Sequence, residues 1–467
     1  MVFSLKYRFD MTKDLTVGKP FPVLWKFCLP LFLSVIFQQL YNLADSFVAG
    51  KFISADALAA VGNSYEITMI FIAISIGCNI GSSVVIALLF GSKEYNRLRT
   101  AVYTTFIAGL SICALLMIFG LIFTTPLLDL INTPDAIIDA SKLYLDIYIW
   151  GLPFMFTYNI ASGIFSSLGD SKTTFIFLAT SSTANIILDI VFVVSFRMGI
   201  AGVAWATFIC QGISALLSVA VVIKRMRSLP IEAHEEKKLF SFSLLSHISK
   251  IAVPSILQQS FVSVGNIIVQ SVINGFGTSV IAGYSAAIKL CTMVTSAYMT
   301  LGNGVSNYTA QNLGAGKYDR ISEGYKAGLL ITLLISIPIT IIYFFFPNLL
   351  LYIFLEESAT GALKTGREIL KILSPFFYVV SIKIISDSVL RGTEHMKRFM
   401  TTTFLDLLLR VSLAIILAKT ALGSTGIWLS WPIGWIIGTL ISVIFAVGIL
   451  KGYKKNNTEN LERQALN

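Results

Sequence analysis

The sequence predicts an all-α polytopic membrane protein of twelve transmembrane helices, arranged as two pseudo-symmetric six-helix lobes. Three observations predict it. First, 55% of the 467 residues are hydrophobic and only 13% are charged, against about a quarter charged in ordinary soluble domains. So many apolar side chains cannot all be buried in water-soluble cores, and disordered chains are polar and charge-rich instead. Second, apolar runs long enough to cross a hydrocarbon core recur twelve times, each needing about 20 helical residues. Third, the motifs that bound those runs recur at a nearly constant offset.

The runs, bounded by charge, Pro or Gly, lie near 22–49, 57–89, 99–123, 141–166, 174–196, 201–223, 251–274, 280–311, 325–346, 366–390, 399–419 and 427–450. They are numbered here as segments 1 to 12. Segments 2 and 8 are long, so their ends should project beyond the hydrocarbon or tilt. Twelve crossings put both termini on one side. The loops on that side carry Lys6, Arg8, Lys13, Lys19 and Lys26; Lys93, Arg97 and Arg99; Lys172; Lys224, Arg225, Arg227, Lys237, Lys238 and Lys250; Lys317, Arg320 and Lys326; Arg391, Lys397 and Arg398; and Lys451, Lys454, Lys455 and Arg463. That is 25 of the 35 basic residues. The positive-inside rule therefore places both termini in the cytoplasm of a cell (plasma) membrane protein. The first apolar run continues past Asp45 with no small-residue cleavage site, so no cleavable signal peptide is expected.

The net charge of +10 reads as topogenic rather than nucleic-acid-binding, because the charges sit in short loops between apolar runs. Cys28, Cys78, Cys113, Cys210 and Cys291 lie in or beside apolar segments without paired spacing and read as small buried hydrophobes. His234, His247 and His395 fall in predicted loops and make no metal-ligand spacing. The pairs Gly18-Lys19 and Gly316-Lys317 lack the remainder of a phosphate loop. No nucleophile–base pairing stands out, so no enzymatic activity and no organic cofactor are expected.

An internal repeat organises the chain. Lys26 to Pro30 resembles Lys250 to Pro254. Phe90 to Arg97 resembles Leu313 to Arg320, and Gly151-Leu152-Pro153-Phe154 resembles Leu373-Ser374-Pro375-Phe376. Leu168-Gly169-Asp170 resembles Leu390-Arg391-Gly392, and Ala201-Gly202-Val203 resembles Thr425-Gly426-Ile427. Every match lies 222 to 224 residues apart. The expected organisation is an N-lobe over 1–223, a charged cytoplasmic linker over 224–250 with Glu232, Glu235 and Glu236, and a C-lobe over 251–467 with a short cytoplasmic tail. The halves share one orientation and should enclose a cavity.

Ionisable side chains at membrane depth are expensive and face cavities or partners. In the first half, Gln38, Tyr41, Asn42 and Asp45 recur at helical spacing on segment 1. Asn185 and Asp189 are four apart on segment 5, one above the other, as are Thr207 and Gln211 on segment 6. Tyr144, Asn159 and Ser162 lie on segment 4. At 1.5 Å per residue, Asp45, Asp189 and Thr207 fall at similar depths, roughly 7 to 10 Å from the outer ends of their helices. Segments 1 to 6 offer no basic residue at that depth. Two carboxylates with amide and hydroxyl oxygens suit a hard cation such as Na⁺, and could equally carry a proton. In the second half, Lys383 and Asp387, and Asp406 and Arg410, read as intrahelical pairs four apart. Lys289 has no evident local partner, and segment 7 has Gln258 and Gln259 but no acid.

Pro30 with Asp45, Asn185-x-x-x-Asp189, and Gly202 to Thr207 opening segment 6 together make the chain resemble the multidrug and toxic compound extrusion (MATE) transporters over nearly its whole length. The loop from Gly91 to Arg97 does not fit the rival twelve-helix major facilitator pattern. The resemblance implies a V-shaped pair of lobes and antiport, in which organic cations or amphipathic compounds leave in exchange for Na⁺ or H⁺. It places the cation-coupling residues on Asp45, Asn185, Asp189 and Thr207, with Na⁺ a candidate ligand there. Tyr41, Tyr144, Asn159 and Gln211 form a supporting network, and Pro30 is a helix-1 hinge. A second site known in another branch of the family needs an acid on segment 7, which is missing here. The alternative function is a lipid-linked precursor flippase of the same superfamily. The expected partners are small-molecule amphipathic substrates and the lipid bilayer, with no nucleic acid and a monomeric protein.

Overall fold

The structure, a computed structural model, describes residues 14–131, 133–230 and 238–465. The first half comprises α1 (Pro20–Val48), α2 (Ala55–Gly91), α3 (Tyr95–Leu130), α4 (Asp135–Trp150), α5 (Leu152–Ser167), α6 (Ser171–Ile190) and α7 (Ile200–Ser228). The second comprises α8 (Phe242–Ile273), α9 (Thr278–Gly314), α10 (Tyr318–Phe345), α11 (Pro347–Leu351), α12 (Thr360–Leu373), α13 (Phe377–Gly392), α14 (Met396–Ala418) and α15 (Ser424–Ala465). Eleven helices among the described residues are long and apolar enough to cross a membrane. The remaining expected crossing, segment 4, is divided into α4 and α5, each of 16 residues. The break falls at Gly151, just before Pro153, whose ring removes a backbone donor and suits the first turn of a new helix. Segment 10 divides at the matching place, where Ser374–Phe376 forms one 3-10 turn between α12 and α13.

Segments 2 and 8 are α2 and α9, each of 37 residues. At 1.5 Å per residue that is about 55 Å, well beyond a ~30 Å core. Some expected boundaries differ. The segment 224–250, expected as a linker, is largely helix continuous with its flanks: α7 runs to Ser228 and α8 starts at Phe242. His247 therefore sits on α8 rather than in a loop, and its Nε2 lies 2.5 Å from Glu394 Oε1. The expected tail continues α15 as helix to Ala465. Lys6, Arg8, Lys13, Glu232, His234, Glu235, Glu236 and Lys237 lie outside the described residues. All five cysteines are buried and unpaired.

The repeat is written into the backbone. Glu94 N–H closes a turn on Leu89 O at 3.0 Å, and Lys317 N–H closes its counterpart on Asn312 O at 2.8 Å. The residue before each donor is left-handed, Lys93 at φ 63° and Gly316 at φ 69°. Asp170 N–H on Phe165 O and His395 N–H on Leu390 O, both 2.8 Å, form a second matched pair after Gly169 and Glu394. These are helix C-terminal turns that need one residue at positive φ.

Close contacts join the halves at the basic-loop end. A Cβ on Gly91 would stand 2.0 Å from Gln311 O, and one on Gly314 would stand 2.0 Å from Leu88 O. Only hydrogen fits at either place. Further along α2, Gly81 meets Ala252 and Gly77 meets Ile256. Gln311 adds a polar clamp, accepting from Leu15 N–H at 3.0 Å and donating to Ser167 O at 2.6 Å.

Candidate functional site

Three helices of the first half, α1, α6 and α7, build one polar cluster. Tyr41 and Asp45 are four apart on α1, as Asn185 and Asp189 are on α6, so each helix offers two polar groups on one face. Thr207 comes two turns into α7. The carboxyl groups of Asp45 and Asp189 sit within hydrogen-bonding reach of each other, and Asp45 is also within reach of the Tyr41 hydroxyl. The Tyr41 hydroxyl and Thr207 Oγ1 are 3.2 Å apart. The Asn185 amide is oriented by its surroundings. With its nitrogen toward the acids it donates to Asp45 Oδ1 at 3.0 Å and to Asp189 Oδ2 at 3.3 Å, while its oxygen accepts from Thr207 N–H at 3.1 Å. Amide orientation is assigned by such networks.

The cluster is dry. Asp189 is 0% exposed, Asn185 2%, Thr207 5% and Asp45 7%. Asp189 Oδ1 has no hydrogen-bond partner among the described residues. Two carboxylates in contact repel each other, and a single proton or monovalent cation between them relieves that repulsion. The oxygens available fit such a cation: carboxylate, amide, hydroxyl and one unsatisfied carboxylate oxygen. Hard cations take oxygen ligands of this kind.

The helix ends beside both acids are unusual. α1 passes into a π turn at Ala49–Ile53 just after Asp45. α6 does the same at Val191–Ser195 just after Asp189. Such widened turns occur frequently at functional sites. Nothing in the apolar pattern of either segment reveals them.

Not every expected member joins the cluster. Tyr144 is buried against Val48, Val203 and Ala204, close to the acids. With Tyr148, Gly151, Thr207, Phe208 and Gln211 it lines a small cavity beside Thr207. Gln211 thus belongs to the cavity wall. Tyr148 and Phe208 were missed in the sequence, although Tyr148 stands four residues after Tyr144. Asn159 does not join the network: its Nδ2 donates to Met155 O at 3.0 Å on its own helix, and its carbonyl accepts from Asn79 Nδ2 at 2.9 Å. A mid-helix amide can bond back to the preceding turn, which removes it from the α1–α6–α7 contact. Gln38 is exposed. Pro30 lies inside α1, which runs through it unbroken, with Ser34 Oγ donating to Pro30 O at 2.8 Å.

The second half has its own buried charges. Lys383 Nζ is 2.8 Å from Asp387 Oδ2 and 3.8 Å from Asp406 Oδ2. Asp387 Oδ1 also accepts from Thr402 at 3.0 Å and from Ser442 at 2.7 Å. The intrahelical Lys383–Asp387 pair forms as expected. The expected Asp406–Arg410 pair does not: Asp406 turns toward Lys383, and the Arg410 guanidinium lies over the Trp431 ring, 4.6 Å from its centroid. Lys289 lies over Phe354 at 5.7 Å.

Comparison with known proteins matches the family described as MatE twice, over residues 30–191 and again over 254–416. A curated relative named a probable multidrug resistance protein YoeA, from Bacillus subtilis, is 28% identical over 91% of this chain and 94% of its own length. Another, named an FAD transporter, from Shewanella oneidensis, is 24% identical over 77% of each chain. A solved structure described as the outward-facing conformation of a multidrug resistance MATE family transporter of the MOP superfamily has a TM-score of 0.90. It is 20% identical and covers 95% of this chain and 99% of that one.

Proposed function

The chain belongs to the MatE family, which consists of multi-pass membrane transporters and not enzymes, and on that premise we propose that it is a secondary active antiporter. It exports organic cations or other amphipathic compounds from the cytoplasm in exchange for Na⁺ or H⁺, as a monomer in the plasma membrane with both termini inside. The observation that carries this reading is the Asp45–Asp189 contact, closed by Asn185 and Thr207, with one Asp189 oxygen left unsatisfied.

The residues act as follows. The coupling ion enters the first half and lies among Asp45, Asp189, Asn185 and Thr207, with Tyr41 holding Asp45 and Thr207 in register. Its charge cancels the repulsion between the two acids, so α1 packs closer to α6 and α7. That movement narrows the neighbouring space and releases substrate outward. A ligand drives such a change only through different affinity for the two states, and the paired acids supply the difference. Pro30 gives α1 a point at which to bend, because the helix lacks one backbone hydrogen bond there. The cavity bounded by Tyr144, Tyr148 and Phe208 offers aromatic faces to an organic cation.

The test is efflux of a fluorescent organic cation from proteoliposomes under a Na⁺ gradient or a pH gradient. The expected outcome is gradient-driven efflux in the wild type, reduced to background by Asp189→Asn with the protein still folded. Full export by that variant would remove the assignment.

A further inference from the structure

Arg410 on α14 has no task in the coupling scheme. It is 7% exposed. Among the described residues its guanidinium makes no hydrogen bond or ion pair, and its Nε is buried without an acceptor. Its close company is the Trp431 face at 4.6 Å. Such a contact is worth about 0.5–2 kcal/mol, less than the several kcal/mol that taking a charge out of water costs.

Other unsatisfied groups lie in the same neighbourhood. Trp428, one turn before Trp431, has a buried indole N–H without an acceptor. Tyr284 stacks on Trp428 at 5.6 Å and lies within electrostatic reach of Arg410. Asn266 on α8 is half-buried, and one end of its amide has no partner. The residue beside it, Gly265, faces Arg410: a Cβ there would stand 3.4 Å from Nη2. Gly434 on α15 gives similar room on another side, 3.5 Å from Arg410 Cβ.

The charge balance points the same way. Lys383, Arg391 and Arg410 are buried in this half with Asp387, and Asp406 is half-buried. Asp387 is already held by Lys383, Thr402 and Ser442, and Asp406 turns to Lys383. One positive charge is left over, and Arg410 is the cation of this central group that no carboxylate reaches.

We infer that Arg410, with the Trp428 indole N–H and the Asn266 amide, forms a subsite for an anionic group, a phosphate or carboxylate carried on an aromatic amphiphile. A guanidinium binds such groups through paired, charge-assisted hydrogen bonds. In surroundings this dry those bonds are stronger than in water. The subsite deepens the transport reading by adding an anionic class of substrate, and it rests on that reading.

The test is equilibrium binding to purified protein in phosphatidylcholine nanodiscs, with no gradient, using flavin mononucleotide and riboflavin. The two share a ring system and differ by one phosphate. The wild type should bind the nucleotide at least tenfold more tightly than riboflavin. Arg410→Gln should cut that preference to below twofold while riboflavin binding stays unchanged. Trp428→Phe keeps the ring, removes only the indole donor, and should lower the preference severalfold. In phosphatidylglycerol nanodiscs, loss of the preference assigns the subsite to a lipid headgroup, and its persistence assigns it to a soluble anion. No preference in the wild type in either lipid, or an undiminished preference in Arg410→Gln and Trp428→Phe, overturns the inference. Binding without a gradient does not depend on ion coupling, so failure here and failure of antiport are separate results.

Discussion

The two halves of the chain share a backbone plan and differ in the sign of their interior charge. Both have a long second helix, a crossing broken before a proline, and matched left-handed turns at the basic-loop end. Yet the first half holds Asp45 and Asp189 in contact with no base among them, whereas the second sets the Lys383 ammonium between Asp387 and Asp406. Lys383-x-x-x-Asp387 on α13 has the same spacing as Asn185-x-x-x-Asp189 on α6. One side chain, amide or ammonium, decides whether a pair of buried acids needs an outside cation. The lesson is that a duplicated scaffold fixes where polar groups go, and single substitutions fix what they do.

The sharpest way to break this comparison is to give the first half a tethered cation. Asn185→Lys should place an ammonium four residues from Asp189, as Lys383 is from Asp387. Ion-driven efflux should fall to background, at least a hundredfold, while the protein remains monodisperse on gel filtration. Efflux that stays responsive to a Na⁺ or pH gradient would show that the two acids are not the coupling site.

The converse change in the second half should act on stability. Lys383→Met leaves Asp387 and Asp406 without their shared ammonium. Removing one partner of a buried pair costs about 3–5 kcal/mol. The sign with pH follows from the charge left behind. Two buried carboxylates without a base are relieved by protonation, so the variant's melting temperature should rise as pH falls, against a flatter wild-type profile. A melting temperature insensitive to both the substitution and pH would mean that Lys383 does not compensate these acids.

Much of this was legible in the sequence because hydropathy and repeat spacing report on long elements. The twelve crossings, the breaks near Pro153 and Pro375, and the great length of α2 and α9 follow from runs of apolar residues and from proline chemistry. The coming together of Asp45, Asn185, Asp189 and Thr207 could be expected because four-residue spacing and equal depth are one-dimensional properties. What failed was rotational and pairwise. Asn159 has the right depth but bonds to Met155 and Asn79, and Asp406 chose Lys383 on another helix over Arg410 on its own. A helix's rotation about its axis depends on packing partners far away in sequence, which no local pattern encodes. The π turns after Asp45 and Asp189 were invisible for a related reason: one extra residue in a turn leaves the apolar composition unchanged.

The smallest expected effect tests whether bending of α1, rather than of any proline-bearing helix, serves coupling. Pro30 and Pro254 are 224 residues apart and lie inside α1 and α8, both continuous helices. Each removes one backbone hydrogen bond, so alanine at either place should restore it and stiffen the helix. The consequences should differ, because the helices carry different cargo. Beyond Pro30, α1 bears Tyr41 and Asp45, which meet Asp189 and Thr207. Beyond Pro254, α8 bears Gln258 and Gln259 and no acid. Pro30→Ala should therefore lower gradient-driven efflux severalfold while leaving substrate binding intact, and Pro254→Ala should leave the response to the gradient near the wild-type value. Equal losses in both variants would assign the prolines a packing role shared by the two halves, and the hinge would have to be sought at the π turns.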